Sequence, residues 1–176
     1  MSADLDHVHR RTPLSTAPGR GRLLVPASVV QATAESLEGS GGPDGPHEGL
    51  VFWAGWHDAG DTIIGFAVTP RSEHGWGHVH ADERAMLAAA RAARRFGAGL
   101  LAQVHSHPGR DVRHSDGDDR LVHMPFEGMW SIVVGSYGSG LRSPETIGLH
   151  QYQNARWVAV EDADAVLLVL PPSVIT

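Results

Sequence analysis

An apolar run that ends in two histidines is the feature of this sequence that most restricts its fold. The run Leu100-Leu101-Ala102-Gln103-Val104 leads into His105-Ser106-His107, and Pro108 follows at once. Such a run is typical of a buried strand, and side chains two residues apart on a strand point to the same face. Because proline cannot extend the hydrogen bonding of a strand, the chain should leave the sheet at Pro108. We therefore expect His105 and His107 side by side at the end of a strand.

A carboxylate follows this pair at a distance that suits a metal site. Asp118 lies eleven residues after His107, beyond a loop long enough to bring it back to the histidines. Two histidines and one carboxylate are a recurrent ligand set of catalytic zinc sites, which keep the fourth position for water. Asp116 and Asp119 are alternative ligands, but the spacing favours Asp118. The sequence thus predicts a zinc ion held by His105, His107 and Asp118.

Histidine is abundant in this chain, so a His-x-His pair alone carries little weight. Twelve histidines occur in 176 residues, and two other such pairs are present. His7/His9 lies in a polar start, and His78/His80 leads into a predicted helix. Only the pair at 105 and 107 ends an apolar run and is followed by Ser-x-x-Asp. The surrounding pattern, rather than the pair itself, makes the prediction specific.

Composition excludes several classes of function. There is no cysteine, which excludes disulfides, thiolate zinc sites and cysteine-protease chemistry. The net charge of −6 disfavours nucleic acid as a partner and mildly favours a basic one. No apolar run approaches the roughly 20 residues of a membrane helix, and the start lacks the pattern of a signal peptide. We expect a cytoplasmic protein with neither membrane nor nucleic-acid contacts.

The spacing of apolar residues predicts an α+β fold. One domain should cover 23–176, after a flexible lead over 1–22. Trp53, Trp56 and Trp130 are expected in the core. The predicted helices cover 27–37, 81–96 and a short segment at 115–122. The predicted strands, of which the second and third form a hairpin, cover 23–25, 49–56, 62–69, 99–107, 130–137, 146–152, 156–160 and 166–170.

The metal-site pattern resembles a known family signature. His105-Ser106-His107-Pro108 followed by Ser115-x-x-Asp118 is similar to the JAMM motif of JAB/MPN/Mov34 metallopeptidases. The resemblance covers about residues 23–152 and implies the MPN/JAB (cytidine-deaminase-like) fold, a central mixed β-sheet flanked by helices. The family's fourth element, a glutamate that opens an early strand, is matched by Glu48. Many members place a glycine three positions after it, whereas this chain has Val51 there and its glycine at Gly49.

The resemblance also implies roles for the residues around the metal. Glu48 would act as general acid and base on the water that zinc activates, with Glu73 and Glu83 as weaker replacements. Ser115 would donate a hydrogen bond to the oxyanion, although it is equally suited to cap the short helix that follows. His114 and His123 lie near this motif and are interpreted as ordinary loop and helix residues.

The function implied by the resemblance is that of a zinc-dependent isopeptidase or peptidase of the deubiquitinase-like type. Its partner would be a ubiquitin-like protein or its conjugate, cleaved after the C-terminal tail for deconjugation or maturation. Small members of this kind occur in bacterial ubiquitin-like conjugation or sulfur-carrier pathways. One alternative is a catalytically inactive MPN-type scaffold, which the complete ligand set disfavours. A zinc hydrolase of a small-molecule amide is the other, and the sequence does not separate it because the groove is not visible.

Overall fold

A nine-stranded mixed β-sheet forms the centre of the protein. The computed structural model describes residues 13–121, 125–142 and 146–172, and it confirms the predicted α+β class. The helices are α1 (Ala27–Glu38), α2 (Glu83–Arg94) and α3 (Ala163–Val166). The strands are β1 (Thr16–Ala17), β2 (Leu23–Pro26), β3 (Gly41–Gly42), β4 (Gly45–Pro46), β5 (Leu50–Asp58), β6 (Asp61–Val68), β7 (Glu73–Gly75), β8 (His78–His80), β9 (Gly99–Ser106), β10 (Trp130–Val134), β11 (Ile147–Gln153), β12 (Arg156–Val160) and β13 (Leu167–Leu170).

The strand order of the central sheet is β1-β12-β11-β10-β9-β5-β6-β2-β13. The strand β9 lies in the middle, parallel to β10 and antiparallel to β5. Two small hairpins, β3–β4 and β7–β8, lie outside this sheet. Since β9 is paired on both sides, its backbone is fixed along its length, and the residues at its end are held accordingly.

One face of the sheet packs on α1. The inward residues of this helix are Val29, Thr33, Ala34 and Leu37. They contact a core that includes Val51 and Trp53 of β5. The indole of Trp53 donates a 2.8 Å hydrogen bond to the Thr33 hydroxyl, which in turn donates to the Val29 carbonyl at 2.7 Å. This chain satisfies the buried polar atoms that the aromatic core would otherwise leave unpaired.

The opposite face packs on α2. Alanines at 85, 89 and 93 recur every four residues and give the helix a narrow apolar stripe that lies close to the sheet. Asp82 caps the helix, because its carboxylate accepts a 2.8 Å hydrogen bond from the Ala85 amide. Leu50 and Phe52 belong to this second core, whereas Val51 and Trp53 belong to the first. The alternation along β5 thus separates the two faces.

The predicted lead over 1–22 is wrong in its second half. Thr16 and Ala17 pair in parallel with β12, and Gly19 donates a 3.0 Å hydrogen bond to Asp162. Apolar periodicity did not reveal this strand, because a two-residue edge strand is held by its backbone rather than by alternating side chains. The His7/His9 pair lies outside the described residues, as does His123.

Three further predictions need correction. The strand predicted over 130–137 ends at Val134, because Ser136 and Tyr137 adopt φ of 54° and no longer follow an extended path. The helix predicted over 115–122 is a single 3₁₀ turn at Asp118–Arg120. Trp56 is 43% exposed rather than in the core, and lies over Gly65. None of the helices in the described parts of the chain is long and apolar enough to span a membrane.

Candidate active site

The two histidines lie where β9 leaves the sheet. His105 is the second-last residue of β9 and is fully buried, paired with Val133 on one side and Leu50 on the other. His107 follows the strand and keeps contact with it, since its amide donates a 2.8 Å hydrogen bond to the Val134 carbonyl. The centroids of the two imidazole rings are 5.1 Å apart. As predicted from their spacing, both rings face the same region.

The loop after Pro108 returns Asp118 to these rings. The carboxylate of Asp118 accepts a 2.6 Å hydrogen bond from the Ser115 amide, and the Ser115 hydroxyl accepts one of 3.3 Å from the Asp118 amide. This reciprocal pair fixes the aspartate at the start of its 3₁₀ turn. Asp118 is only 6% exposed. Its two oxygens lie 3.1 Å from His105 Nε2 and 3.4 Å from His107 Nε2.

These three residues fit a metal ion. One donor atom from each of His105, His107 and Asp118 lies within 4.8 Å of the others. Within the described part of the chain, the buried Nε2 of His105 has no partner in hydrogen-bond geometry, although a carboxylate oxygen stands 3.1 Å away. A buried polar atom without a partner is unfavourable, and a cation between these groups would satisfy it. Two imidazoles and one carboxylate form a donor set that suits zinc.

A hydrogen bond outside the ligand set fixes the tautomer of His107. Its Nδ1 lies 2.8 Å from the Asp111 carbonyl oxygen, which can only accept, so Nδ1 carries the proton. Nε2 is therefore the atom that faces the metal position, because metal-binding histidines usually donate a hydrogen bond from their other ring nitrogen. The carboxylate of Asp111 in turn accepts two hydrogen bonds from the Arg113 guanidinium, at 2.8 and 2.7 Å. Asp111 and Arg113 thus hold the loop that orients His107.

The charged groups of the site shift one another's pKa values. Burial opposes the charged form of the Asp118 carboxyl, but the neighbouring His105 and His107 outweigh it and hold its pKa well below the usual range. Burial also opposes protonation of His107, yet Asp118, the Asp111 carbonyl and Glu48 raise the pKa of this imidazole to about 9. For His105, burial dominates and lowers the pKa. The site therefore favours an ionised carboxylate next to positive charge.

Glu48 reaches the same cleft from β5. Leu50 pairs with His105, so continuing the antiparallel register by two residues places Glu48 opposite His107. Hydrogen bonds between Gly49 and Ser106 extend the pairing in this direction. Glu48 is 8% exposed, and burial together with the charge of Asp118 raises the pKa of its carboxyl to about 8, against the opposing effect of His107. A carboxyl with such a pKa can both accept and release a proton near neutral pH.

The neighbouring acids do not join the ligand group. Asp119 lies 3.2 Å from Nδ1 of the buried His114, and neither it nor Asp116 belongs to the set of three donors found among the described residues. Glu73 is exposed on β7, and Glu83 is exposed at the start of α2. Glu48, not Glu73 or Glu83, lines the cleft. The structure thus brings Glu48, Ser115, His105, His107 and Asp118 together.

Gly49, the glycine that follows Glu48 in this chain, packs closely against α1 and Ser40. A Cβ on Gly49 would lie 2.6 Å from Ser40 Oγ and 3.0 Å from Leu37 Cδ2. There is consequently no room for a side chain beside Glu48. Val51, which occupies the position of the family's usual glycine, is fully buried in the core on the α1 side. The close approach to α1 lies at Gly49, directly beside Glu48.

A hairpin that the sequence did not predict forms part of the cleft. The strands β7 and β8 place Trp76, Gly77, His78 and Val79 along a cavity of about 330 Å³ that also contains Glu48. The glycines on either side of Trp76 signal a turn, but polar residues dominate the flanking strands and gave no apolar alternation. His78 and His80 lie in β8, which leads into α2 as predicted.

Sequence reasoning also missed the burial of His114. This residue lines the cleft and is 4% exposed, with its ring centroid 5.1 Å from that of His150 and 5.2 Å from that of Trp157. Burial, together with the nearby His114 and His105, lowers the pKa of His150 to about 3. A polar loop position gives no signal of burial, because the contact comes from β11 and β12, more than 30 residues further along the chain.

Comparison with known proteins places this geometry in context. A family model described as "Prokaryotic homologs of the JAB domain" matches residues 27–147. A curated protein of Sinorhizobium fredii, "Probable metalloprotease y4jG", is 32% identical over 117 residues, which are 62% of this chain and 67% of that protein.

Solved structures resemble the fold. Protein DSY2949 from Desulfitobacterium hafniense aligns with a TM-score of 0.62 at 16% identity, over 85% of this chain and 94% of that one. A protein from Salinibacter ruber aligns with a TM-score of 0.53 at 18% identity, over 85% and 90%.

Proposed function

Because the chain belongs to the prokaryotic JAB family, we propose that it is a zinc-dependent peptidase or isopeptidase acting after the C-terminal tail of a ubiquitin-like protein. The observation that carries the proposal is the meeting of His105, His107 and Asp118 in one cleft with the buried carboxyl of Glu48. The family and its probable metalloprotease relative support a metallohydrolase. A ubiquitin-like substrate cleaved after its C-terminal tail is part of the proposal.

Each residue has a distinct task in this proposal. His105, His107 and Asp118 would hold the zinc ion, which supplies a Lewis acid that lowers the pKa of water and polarises a carbonyl group. Glu48 accepts a proton from the attacking water and delivers one to the departing amine, which its position opposite His107 favours. Ser115 is half-buried at the cleft, and its oxygen already accepts from the Asp118 amide. Its hydroxyl hydrogen is available to an oxyanion.

The shape of the cleft suits an extended, narrow chain. His78 and Val79 of β8 line it, and in the described residues β8 pairs only with β7. A glycine-rich tail would lie beside β8 and pair with it through main-chain hydrogen bonds, as peptides do when they add a strand to a sheet. Small side chains would let the scissile bond approach Glu48. The net charge of −6 would favour encounter with a basic stretch in that tail.

The test is to fuse the cognate ubiquitin-like protein to a reporter through its own tail and to measure chelator-sensitive release. We expect release by the wild-type protein loaded with zinc and none by Glu48→Gln, which keeps the size of the side chain but removes the proton acceptor. Replacing the tail glycines by leucine should abolish release if the tail lies extended in the cleft. Metal analysis of each protein preparation separates a catalytic defect from failure to bind zinc.

Other outcomes would point to the alternatives. Release that is insensitive to bulky tail residues would contradict recognition of an extended tail. Hydrolysis of small amides without release from any fusion would indicate a small-molecule amidase. Absence of zinc from the purified protein, with no hydrolysis after zinc is added, would indicate a scaffold module and overturn the proposal.

A further inference from the structure

A strained turn follows β10, directly beside the loop that carries His107 and Asp118. Ser136 and Tyr137 both have φ of 54°, and Gly138 has φ of 102°, so three successive residues occupy the left-handed region. Residues other than glycine rarely adopt it, and a surrounding structure must impose it. Gly138 is required on two counts, because a Cβ there would also lie 2.4 Å from Leu37 Cβ in α1. Strain at two non-glycine positions next to a catalytic cleft calls for a functional explanation.

Backbone hydrogen bonds tie this turn to the loop that carries His107. The Ser136 amide donates to the Gly109 carbonyl at 2.8 Å, and the Tyr137 amide donates to the His107 carbonyl at 2.8 Å. The positive φ values of this turn direct the two successive amides toward the loop that carries His107. These hydrogen bonds fix the backbone of Tyr137 relative to that of His107.

The side chain of Tyr137 bridges from this turn to the opposite side of the cleft. Its hydroxyl donates a 2.9 Å hydrogen bond to the carbonyl of Trp76, at the tip of the β7–β8 hairpin. Partial burial and the Glu48 carboxylate raise the pKa of the phenol, so the hydroxyl keeps its proton at neutral pH. The hydroxyl is thus a neutral donor at neutral pH.

The hairpin makes other hydrogen bonds, but these run to the segment just before β5. Its Gly75 carbonyl accepts a 2.8 Å hydrogen bond from the Glu48 amide. Nδ1 of His74 lies 2.9 Å from Nδ1 of His47, whose Nε2 is bonded to Asp44. Both contacts attach β7 to the segment just before β5. The contact from Tyr137 to Trp76 instead joins the hairpin tip to the side of the cleft that carries His107.

We infer that Tyr137 is a positioning residue that fixes the hairpin tip across the cleft and so sets the width of the channel in which the substrate tail lies. The part of this inference that concerns substrate rests on the proposed function. Tyr137 contributes no proton to the reaction, because its hydroxyl already donates a hydrogen bond to the Trp76 carbonyl. Its effect should therefore be on binding of an extended substrate and on the mobility of residues 73–80.

The chain offers a matched control, because it has two tyrosines. Tyr152 packs edge-on against Trp157 of β12 with ring centroids 5.3 Å apart, so its ring is held by a contact outside the β7–β8 hairpin. The experiment would compare Tyr137→Phe with Tyr152→Phe in the full chain loaded with zinc. The first measurement is hydrogen–deuterium exchange of the amides of residues 73–80. The second is the kinetics on the tail fusion, with the zinc content of both variants determined in parallel.

For Tyr137→Phe we expect faster exchange in the hairpin and a KM raised about five-fold, the effect of losing one ordinary hydrogen bond, with kcat and zinc content unchanged. Tyr152→Phe should match the wild type in both measurements. Unchanged exchange in Tyr137→Phe would overturn the inference. So would a fall in kcat at constant KM, which would assign the hydroxyl a chemical role. If the wild type cleaves no tail fusion, the proposed function fails, while the exchange comparison still decides whether Tyr137 holds the hairpin.

Discussion

One side of the cleft is part of the central sheet, whereas the other is the tip of the β7–β8 hairpin. On the sheet side, His105 is fully buried, and Gly49 and Ser106 exchange two hydrogen bonds next to Glu48. On the hairpin side, Trp76 is 47% exposed, and the hairpin is a separate two-stranded sheet. Groups that must be placed within fractions of an ångström stand on the rigid side. The side proposed to meet the substrate is a small two-stranded hairpin, and small surface elements open more easily than a central sheet.

This difference predicts that substitutions on the sheet side affect metal binding, chemistry or folding, while those on the hairpin side affect substrate binding. The largest effect is expected for His107→Ala, which removes one of three ligands. We expect loss of stoichiometric zinc and no measurable hydrolysis. Metal analysis after gel filtration is the measurement, with His57→Ala, an exposed histidine at the far end of β5, as the control. Retention of zinc by the His107 variant would contradict the assigned ligand set.

The next largest effect is expected for Glu48→Gln, which should keep zinc and lose activity by about 10²-fold or more. The control is Glu83→Gln, an exposed acid at the start of α2, which should retain the wild-type rate. Normal turnover by Glu48→Gln would assign the general base to another carboxylate.

The same substitution has a predicted effect on the stability of the metal-free protein. The folded-state pKa of Glu48, about 8, lies above its ordinary value of 4.5, so ionisation opposes folding as pH rises between these values. Glu48→Gln should therefore match the wild type below about pH 4.5 and become more stable relative to it toward pH 8. Thermal unfolding in chelator across this range is the measurement. A stability difference that does not vary with pH would contradict the burial of this carboxyl.

A smaller effect, confined to stability, is expected for Thr33→Val in α1. The substitution keeps the shape but leaves the buried indole N–H of Trp53 without its acceptor, which should lower the free energy of unfolding by about 1–3 kcal/mol. Denaturant unfolding is the measurement, and the control is Ser36→Ala in the same helix, whose half-buried hydroxyl lies 3.0 Å from the hydroxyl of the exposed Thr69. Zinc content should not change in either variant. Loss of zinc from Thr33→Val would mean that the core and the site are not independent.

The smallest effect is expected on the hairpin side, for His74→Ala. This removes the exposed partner of His47 and one tie between β7 and the segment before β5. We expect a change of less than about 1 kcal/mol in stability and a two- to five-fold rise in KM, with kcat unchanged. Steady-state kinetics on the tail fusion is the measurement. A fall in kcat as large as that of Glu48→Gln would remove the distinction between the two sides.

Local pattern was enough to predict the central elements. The apolar run before His105 predicts β9, and the apolar runs at 49–56 and 62–69 around a polar turn predict the hairpin that the structure has as β5 and β6. Helix α2 was predicted two residues too long at each end, because a periodic pattern does not mark the cap, whereas Asp82 does. Strand β1 escaped prediction because its two residues are held by backbone pairing alone.

The spacing of the motif likewise placed three of the site residues. His105 and His107 share a face because they are two residues apart, and the loop length brings Asp118 to them. Glu48 could be named only by resemblance, since nothing within its own segment shows what stands opposite. The hairpin residues Trp76 and His78 gave no usable pattern, and Tyr137 was placed on a strand that ends three residues earlier.

The sequence by itself therefore determined the strand that carries two histidines on one face, and it indicated Asp118 as their partner. These follow from periodicities of a few residues, which are fixed by backbone geometry. The tertiary structure alone decided that Glu48 stands opposite His107, that burial raises its pKa and that Tyr137 reaches the Trp76 carbonyl. Each of these depends on strand register or on contacts between segments far apart in the chain. Such contacts form only when the whole sheet closes around its two cores.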